Sequence, residues 1–308
     1  MADYVCIDSG TTNTRISLVR DNNVIDTMKY HCGTKCSKDE LKLTLKKGIS
    51  EILVKNNADE KTANKIIASG MITSELGLID LEHITAPVGL KELNEGIVEK
   101  SFEDISSIPF SFIRGVKIFG ENLDDTDMLR GEEAELFGII DGEGVYVLPG
   151  SHSKILVVDD TERITTFKTM LTGEMLSSIA ANTILKESLP DISVTADEEY
   201  LFVGLSYARE HGINEALFKV RVLKNIFKKS NEQVMGFFMG AVLCDEINFI
   251  LSLSPKKITI GGNAILKKPM SVILNKLSSS KVITLNEEEV EKCVALGQVR
   301  IFEYKNKG

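Results

Sequence analysis

Two short segments of the chain hold the residue types best suited to phosphate chemistry. DSGTTNTR at 8–15 places a carboxylate, a glycine, a run of hydroxyl and amide side chains and an arginine side by side. LPGSHSK at 148–154 repeats the device. Phosphate oxygens need convergent N–H donors, and a turn containing glycine can aim several backbone N–H groups at one point. Gly10, Thr11, Thr12, Asn13 and Arg15 are therefore candidate nucleotide ligands, as are Gly150, Ser151, His152, Ser153 and Lys154. Asp8 is acidic beside such a cradle. That placement makes sense with Mg²⁺ between carboxylate and phosphate, held directly or through water, so Asp8 is the candidate metal ligand. Two such turns acting together form the kind of clamp that phosphoryl transfer requires.

Three further segments supply candidates. TIGGNA at 259–264 puts Gly261, Gly262 and Asn263 after an apolar strand pattern, where backbone without Cβ atoms can approach a flat base. RGEEAELFG at 130–138 reads as a helix start. Its Glu132 and Glu133 suit the positive end of the helix dipole, and either could accept a hydroxyl proton as a catalytic base. Glu132 is preferred because it directly follows Gly131, and Arg130 could pair bidentately with a substrate carboxylate. SGMITSELG at 69–77 could line a sugar-sized pocket through Ser69, Gly70 and Met71, or merely pack. The chain has no G-x-x-x-x-G-K-[ST] and no G-x-G-x-x-G, so neither a Walker A loop nor a dinucleotide fingerprint is present.

The elements that must carry these residues follow from periodicity. Residues 4–8, 14–20 and 24–31 read as three strands, the last two joined by an Asp21-Asn22-Asn23 turn. Ser37 and Glu40 form a capping box ahead of a helical stripe, Leu41, Leu45, Ile49 and Ile52. Residues 65–69 are a strand. The pattern returns at 145–148, 155–159 and 164–168, and Gly10 aligns with Gly150 at an offset of 140, which predicts a duplicated domain. Thr195 and Glu198 read as a second capping box with Gly212 as the stop. A long apolar helix runs from Asn231 to near Leu253, strands follow at 258–260 and 281–285, and a last helix at 287–301.

Composition sets the limits. The 308 residues suit two packed domains, and a formal net charge of -9 argues against nucleic acid as a partner. The N-terminus lacks the basic and apolar regions of a secretory signal, and the longest apolar run, 234–244, is too short to span a bilayer. Five irregularly spaced cysteines fit reduced thiols, so a cytoplasmic protein is expected. His31, Cys32 and Cys36 are close in sequence, but no second Cys/His pair follows to complete a zinc site.

The order of the two phosphate turns and the Gly-Gly turn resembles that of the actin/hexokinase ATPase superfamily. Within it, the chain resembles the 2-dehydro-3-deoxygalactonokinase family. The shared motifs are D-x-G-[ST]-T-N-x-R at 8–15, S-G-M at 69–71, L-R-G-E-E at 129–133, P-G-S-H-x-K at 149–154 and L-T-G-E at 171–174. They cover residues 4 to about 175 well, while the C-terminal third matches in pattern only. Ser9 stands where relatives often carry Trp, and Ser153 where they often carry Cys.

The resemblance implies ATP- and Mg²⁺-dependent phosphorylation of 2-dehydro-3-deoxy-D-galactonate at its 6-hydroxyl. It adds Thr172, Gly173 and Glu174 to the substrate candidates. Kinases of amino sugars or pantothenate, and nucleotide-switched activator ATPases, are the alternatives. The implied fold is α/β: two ribonuclease-H-like domains, each a mixed five-stranded sheet flanked by helices, with a cleft between them. The expected boundaries are 1–140 and 141–308. The last helix should cross the helix after Gly131 at the hinge, with Gly138 and Gly297 allowing close approach.

Overall fold

The computed structural model describes residues 3–262 and 264–305. The chain divides into two compact units. The first holds the chain up to Gly142, Val158–Phe167 and the chain from Glu288 onward; the second holds Glu143–Val157 and Lys168–Glu287.

The first unit opens with β1 (Asp3–Ser9), β2 (Thr14–Arg20) and β3 (Asn23–Tyr30), followed by α1 (Lys38–Lys55) and β4 (Ala63–Gly70). Asp21 and Asn22 turn the β2–β3 hairpin at φ 48° and 59°, a conformation that Asp and Asn tolerate better than most residues. Ser37 and Glu40 form the capping box of α1. Leu41, Leu45, Ile49 and Ile52 are fully buried against Val5, Ile7, Ile16 and Leu18 of the sheet. Each such side chain removed from water contributes about 1.5–3 kcal/mol. Next come β5 (Ile84–Thr85), α2 (Leu90–Glu95), β6 (Val98–Phe102), β7 (Ser106–Phe112), β8 (Val116–Ile118), β9 (Asp127–Leu129) and α3 (Glu132–Ile139).

The main sheet runs β3-β2-β1-β4-β7-β6, and β5-β8-β9 form a small separate sheet. The expected five strands are thus six. β6 adds antiparallel to β7, with Lys100 opposite Phe110, and this charged edge strand carries little of the alternation that betrays a strand in sequence.

The plan repeats in β10 (Gly144–Leu148), β11 (Ser153–Val158), β12 (Ile164–Met170) and α4 (Thr172–Asn182), which belong to the second unit except for Val158 and the Ile164–Phe167 part of β12. Then follow α5 (Glu198–His211), α6 (Ile213–Asn225), α7 (Asn231–Val242), α8 (Cys244–Ser252), β13 (Lys257–Ile260), α9 (Ala264–Leu277) and β14 (Lys281–Thr284). Its sheet order, β12-β11-β10-β13-β14, matches the first five strands of the other sheet, and β10–β13 pair in parallel as β1–β4 do.

Two helical expectations need correction. The N-cap of α5 is Asp197, which accepts the Tyr200 N–H at 2.9 Å; it replaces the Thr195 box because Asp197 stands immediately before the first helical turn. The long apolar helix is two helices, α7 and α8, meeting at 50° around Leu243. Among the described residues no single helix is long and apolar enough to cross a membrane.

The last helix, α10 (Glu287–Phe302), crosses α3 within the first unit. A Cβ on Gly138 would lie 1.8 Å from the Cys293 carbonyl oxygen, and one on Gly297 would lie 1.8 Å from the Ala134 oxygen. The crossing therefore admits glycine on both helices.

Candidate active site

In the first unit three chain segments converge where β1 and β4 end side by side. Asp8 pairs in register with Ser69, and Ser9 with Gly70. Ends of parallel strands are where such sheets leave room for ligands. The Gly10 N–H donates to the Asn13 carbonyl at 2.9 Å and closes the turn, leaving Thr11 and Thr12 exposed. Asn13 Oδ1 lies 2.9 Å from His31 Nδ1, so its amide is partly engaged within the protein.

Asp8 keeps 27% of its side chain open and sits 3.5 Å from Arg15. The surrounding protein raises the Asp8 carboxyl above its ordinary value; Arg15 pulls it back and the Glu132 charge pushes it further up. An added cation would relieve that crowding. No cluster of three or more His, Cys, Asp or Glu side chains that could hold a metal occurs among the described residues. A metal at Asp8 would therefore complete its shell with phosphate oxygens and water, which suits Mg²⁺.

The start of α3 closes this region. Gly131 has φ 112°, and a Cβ there would approach the Gly70 Cα to 3.1 Å, so the strand end and the helix start touch through backbone. Glu132 accepts the Arg130 N–H at 2.9 Å and stays partly exposed. Glu133 accepts the Gly131 N–H at 2.7 Å and is wholly buried, with Oε1 lacking a hydrogen-bond partner among the described residues. Burial, with the Glu132 charge second, pushes its carboxyl up to about 8. The two glutamates are thus sorted by burial: Glu133 is enclosed and Glu132 keeps an exposed edge.

Arg130 departs from expectation. Its guanidinium donates to the carbonyl and hydroxyl of Thr73 and to the Leu81 carbonyl, and it lies 3.4 Å from His83 Nδ1. With those N–H groups engaged it offers no open fork to a carboxylate; it ties the 73–83 loop to α3. Burial and the neighbouring Arg130 push the His83 imidazole down to about 4, so it is neutral at pH 7. Ser69 also turns inward: its buried hydroxyl takes the Gln298 side-chain N–H at 2.8 Å, and Gly70 is buried as well, which leaves Met71 as the partly exposed member of that motif.

In the second unit the 149–153 turn repeats this design. Ser151 and His152 are exposed, with His152 Nε2 2.9 Å from Glu174 Oε2. Ser153 and Lys154 face inward, where the Lys154 ammonium bends back to the His152 carbonyl at 3.3 Å. Neither offers its side chain to a ligand here, a correction set by the start of β11, whose first residues belong to the core. Thr172, Gly173 and Glu174 pack with this turn. The Thr172 hydroxyl is buried on Glu246 at 2.7 Å, so it is no direct substrate contact. Gly261 donates to the Val147 carbonyl, and a Cβ on Gly262 would meet the Pro149 oxygen at 2.2 Å. Asn263 lies outside the described residues.

Glycine separates what the fold needs from what a ligand needs. A Cβ on Gly33 would lie 2.4 Å from the Gly10 oxygen, and one on Gly173 would lie 2.1 Å from the Gly150 oxygen; both are packing glycines, again 140 residues apart. A Cβ on Gly10 would find its nearest neighbour at 3.7 Å, and one on Gly150 at 3.9 Å. Protein packing makes no demand for glycine at either turn, so both cradles fit a group that approaches the backbone from outside, as a phosphate does. Gly33 and Glu246 were missed in sequence, and Gly173 was expected at the substrate rather than as a packing residue. The shared offset of the glycines was the available signal, and Glu246 had none.

The profile of the family described as 2-keto-3-deoxy-galactonokinase matches residues 8–299. The 2-dehydro-3-deoxygalactonokinase of Escherichia coli (strain K12) is 25% identical over 256 residues, 80% of each chain. A Sinorhizobium meliloti protein assigned to the same activity has a solved structure with a TM-score of 0.80 at 21% identity, covering 97% of both chains. The activator of 2-hydroxyisocaproyl-CoA dehydratase from Clostridium difficile, solved with bound ADPNP, gives a TM-score of 0.52 at 12% identity over 99% of both chains. These structures establish the actin/hexokinase type of fold.

Proposed function

The chain belongs to the 2-keto-3-deoxy-galactonokinase family, and from that premise we propose that it transfers the terminal phosphoryl group of ATP to the 6-hydroxyl of 2-dehydro-3-deoxy-D-galactonate. The observation that carries this reading is the pair of glycines, Gly10 and Gly150, that the protein's own packing leaves uncrowded.

In each unit the backbone N–H groups of its turn, with the Thr11 and Thr12 hydroxyls in the first and the Ser151 hydroxyl in the second, would bind phosphate oxygens. Asp8 would hold Mg²⁺ from one side. When bound, Mg²⁺ neutralises phosphate charge during transfer. The adenosine end would pass Gly261 and Gly262 to a cavity of about 310 Å³ lined by Leu201, Met239, Ile265, Pro269 and Val272, apolar enough for a base. Gly70, Met71 and the start of α3 would hold the sugar acid. Glu132 would orient its hydroxyl and accept the proton late, since positioning outweighs deprotonation in a loose transition state. Glu133, buried and raised, holds Gly131 in place.

An ADP-release assay with Mg²⁺-ATP tests the reading. Turnover should require a 2-dehydro-3-deoxy sugar acid. ADP release at the same rate without any acceptor would favour a nucleotide-switched ATPase instead.

A further inference from the structure

Glu246 lies outside every motif discussed above, yet its carboxyl reaches the segment that packs on the second turn. It sits in the first turn of α8, is 1% exposed, and accepts the Thr172 hydroxyl at 2.7 Å. Thr172 begins α4. Its neighbour Gly173 packs directly on the Gly150 carbonyl, and the Glu174 N–H donates to the Ser151 carbonyl at 2.9 Å. The segment that backs the turn is therefore fixed from behind by one carboxyl. Ser153, the last residue of the turn, is wholly buried; its hydroxyl lies close enough to the Glu246 carboxyl to favour the charged form, though neither it nor Glu246 Oε1 reaches full hydrogen-bond geometry among the described residues. Burial pushes the Glu246 carboxyl up to about 7, with Thr172 and then Ser153 pulling it down.

A buried carboxyl is costly to keep in a core that could have used Leu or Met. Here it ties α8 to the start of α4, the segment that packs on the Gly150 turn. We propose that Glu246 is a positioning residue for nucleotide binding: through Thr172 it holds the 172–174 segment against the 150–151 backbone and so keeps those N–H groups aimed at phosphate. The proposal rests on the reading of residues 149–153 as a phosphate turn.

The test titrates a non-hydrolysable ATP analogue with Mg²⁺ into the full-length protein by calorimetry, without sugar acid. Glu246→Ala should weaken binding about tenfold, the cost of one lost charge-assisted hydrogen bond. Thr172→Val should do the same, while Glu246→Gln, whose amide oxygen still accepts the Thr172 proton, should stay within about twofold of wild type. Amide exchange should quicken in Glu246→Ala at residues 149–153 and 172–175 above any rise elsewhere. In kinetics the KM for ATP should rise while that for the sugar acid holds. A variant that binds the analogue normally, or exchange that quickens evenly over the chain, overturns the positioning role. If Glu246→Ala does not fold, equal affinities of Thr172→Val and wild type overturn it. Wild-type protein that binds no nucleotide removes the phosphate-turn reading and this proposal together.

Discussion

At the first turn Thr11 and Thr12 stand exposed and Asp8 keeps an open edge; at the second, Ser153 and Lys154 point into the core and only Ser151 and His152 reach outward. The place 140 residues beyond Asp8 is Leu148, buried in its strand. The backbones match nonetheless, with an uncrowded glycine at Gly10 or Gly150 and a packing glycine behind it at Gly33 or Gly173. One backbone plan thus carries two sets of side chains: the first turn adds a carboxylate and exposed hydroxyls, and in the proposed reading the second would rely on backbone held from behind by Glu246.

Substituting the glycines tests the likeness most severely. Gly10→Val and Gly150→Val should each lower kcat/KM by a hundredfold or more, about the effect of displacing reacting groups by an ångström. Melting temperature should hold, because each Cβ has room. Gly33→Ala and Gly173→Ala should instead cost about 1–3 kcal/mol of stability, as overpacking does. Normal activity in either valine variant would end the equivalence of the two turns.

The difference between the turns is tested by Asp8→Asn. Turnover should fall about a hundredfold, the scale of removing one preorganised electrostatic contact. Thermal stability should hold or rise, since a crowded charge is gone. Normal turnover with unchanged Mg²⁺ dependence would remove Asp8 from the site. The proposed base also lies in the first unit: Glu132→Gln should lower kcat at least about a hundredfold with little change in substrate KM. A fully active Glu132→Gln beside an inactive Glu133→Gln would reverse the two roles.

The smallest effect is one of pH. Between pH 4.5 and about 8 the folded protein keeps a proton on Glu133 that the unfolded chain has released. The native state then binds more protons, so stability falls as pH rises through that window. Glu133→Gln, which can still accept the Gly131 N–H, should flatten the decline and melt a few degrees above wild type at pH 9. Glu246 has the same sign up to about 7, so part of the slope should remain. Parallel melting curves for the two proteins from pH 5 to 9 would refute the assignment.

Sequence periodicity placed β1 to β4, α1, the second set of strands and α10, through short apolar runs as in β1 and β10, alternation as in β3 or a helical stripe as in α1. It missed β6, whose exposed Glu99 and Lys100 hide the strand, and the break at Leu243, because an apolar run looks the same straight or bent. Motifs located the turns but not the direction of adjacent side chains. Ser69 and Thr172 lie in the right segments and face inward because Gln298 and Glu246, distant in sequence, draw their hydroxyls there. Arg130 was misread for the same reason: its partners Thr73, Leu81 and His83 come from a loop whose path no spacing rule supplies.

The last helix sets an order of events at the ribosome. Gln298 donates to the Ile7 carbonyl across 291 residues, Tyr4 donates to Glu303 across 299, and Asn94 donates to the carbonyls of Ile301 and Phe302. The first unit to be synthesised is therefore the last that can be completed. The second, nearly continuous from Glu143 to Glu287, can close while α10 is still inside the exit tunnel. Until then the α3 groove that receives Gly297 stays open, with its apolar neighbours in water. Such long-range closure is slow and leaves a partly built core available to chaperones or to aggregation.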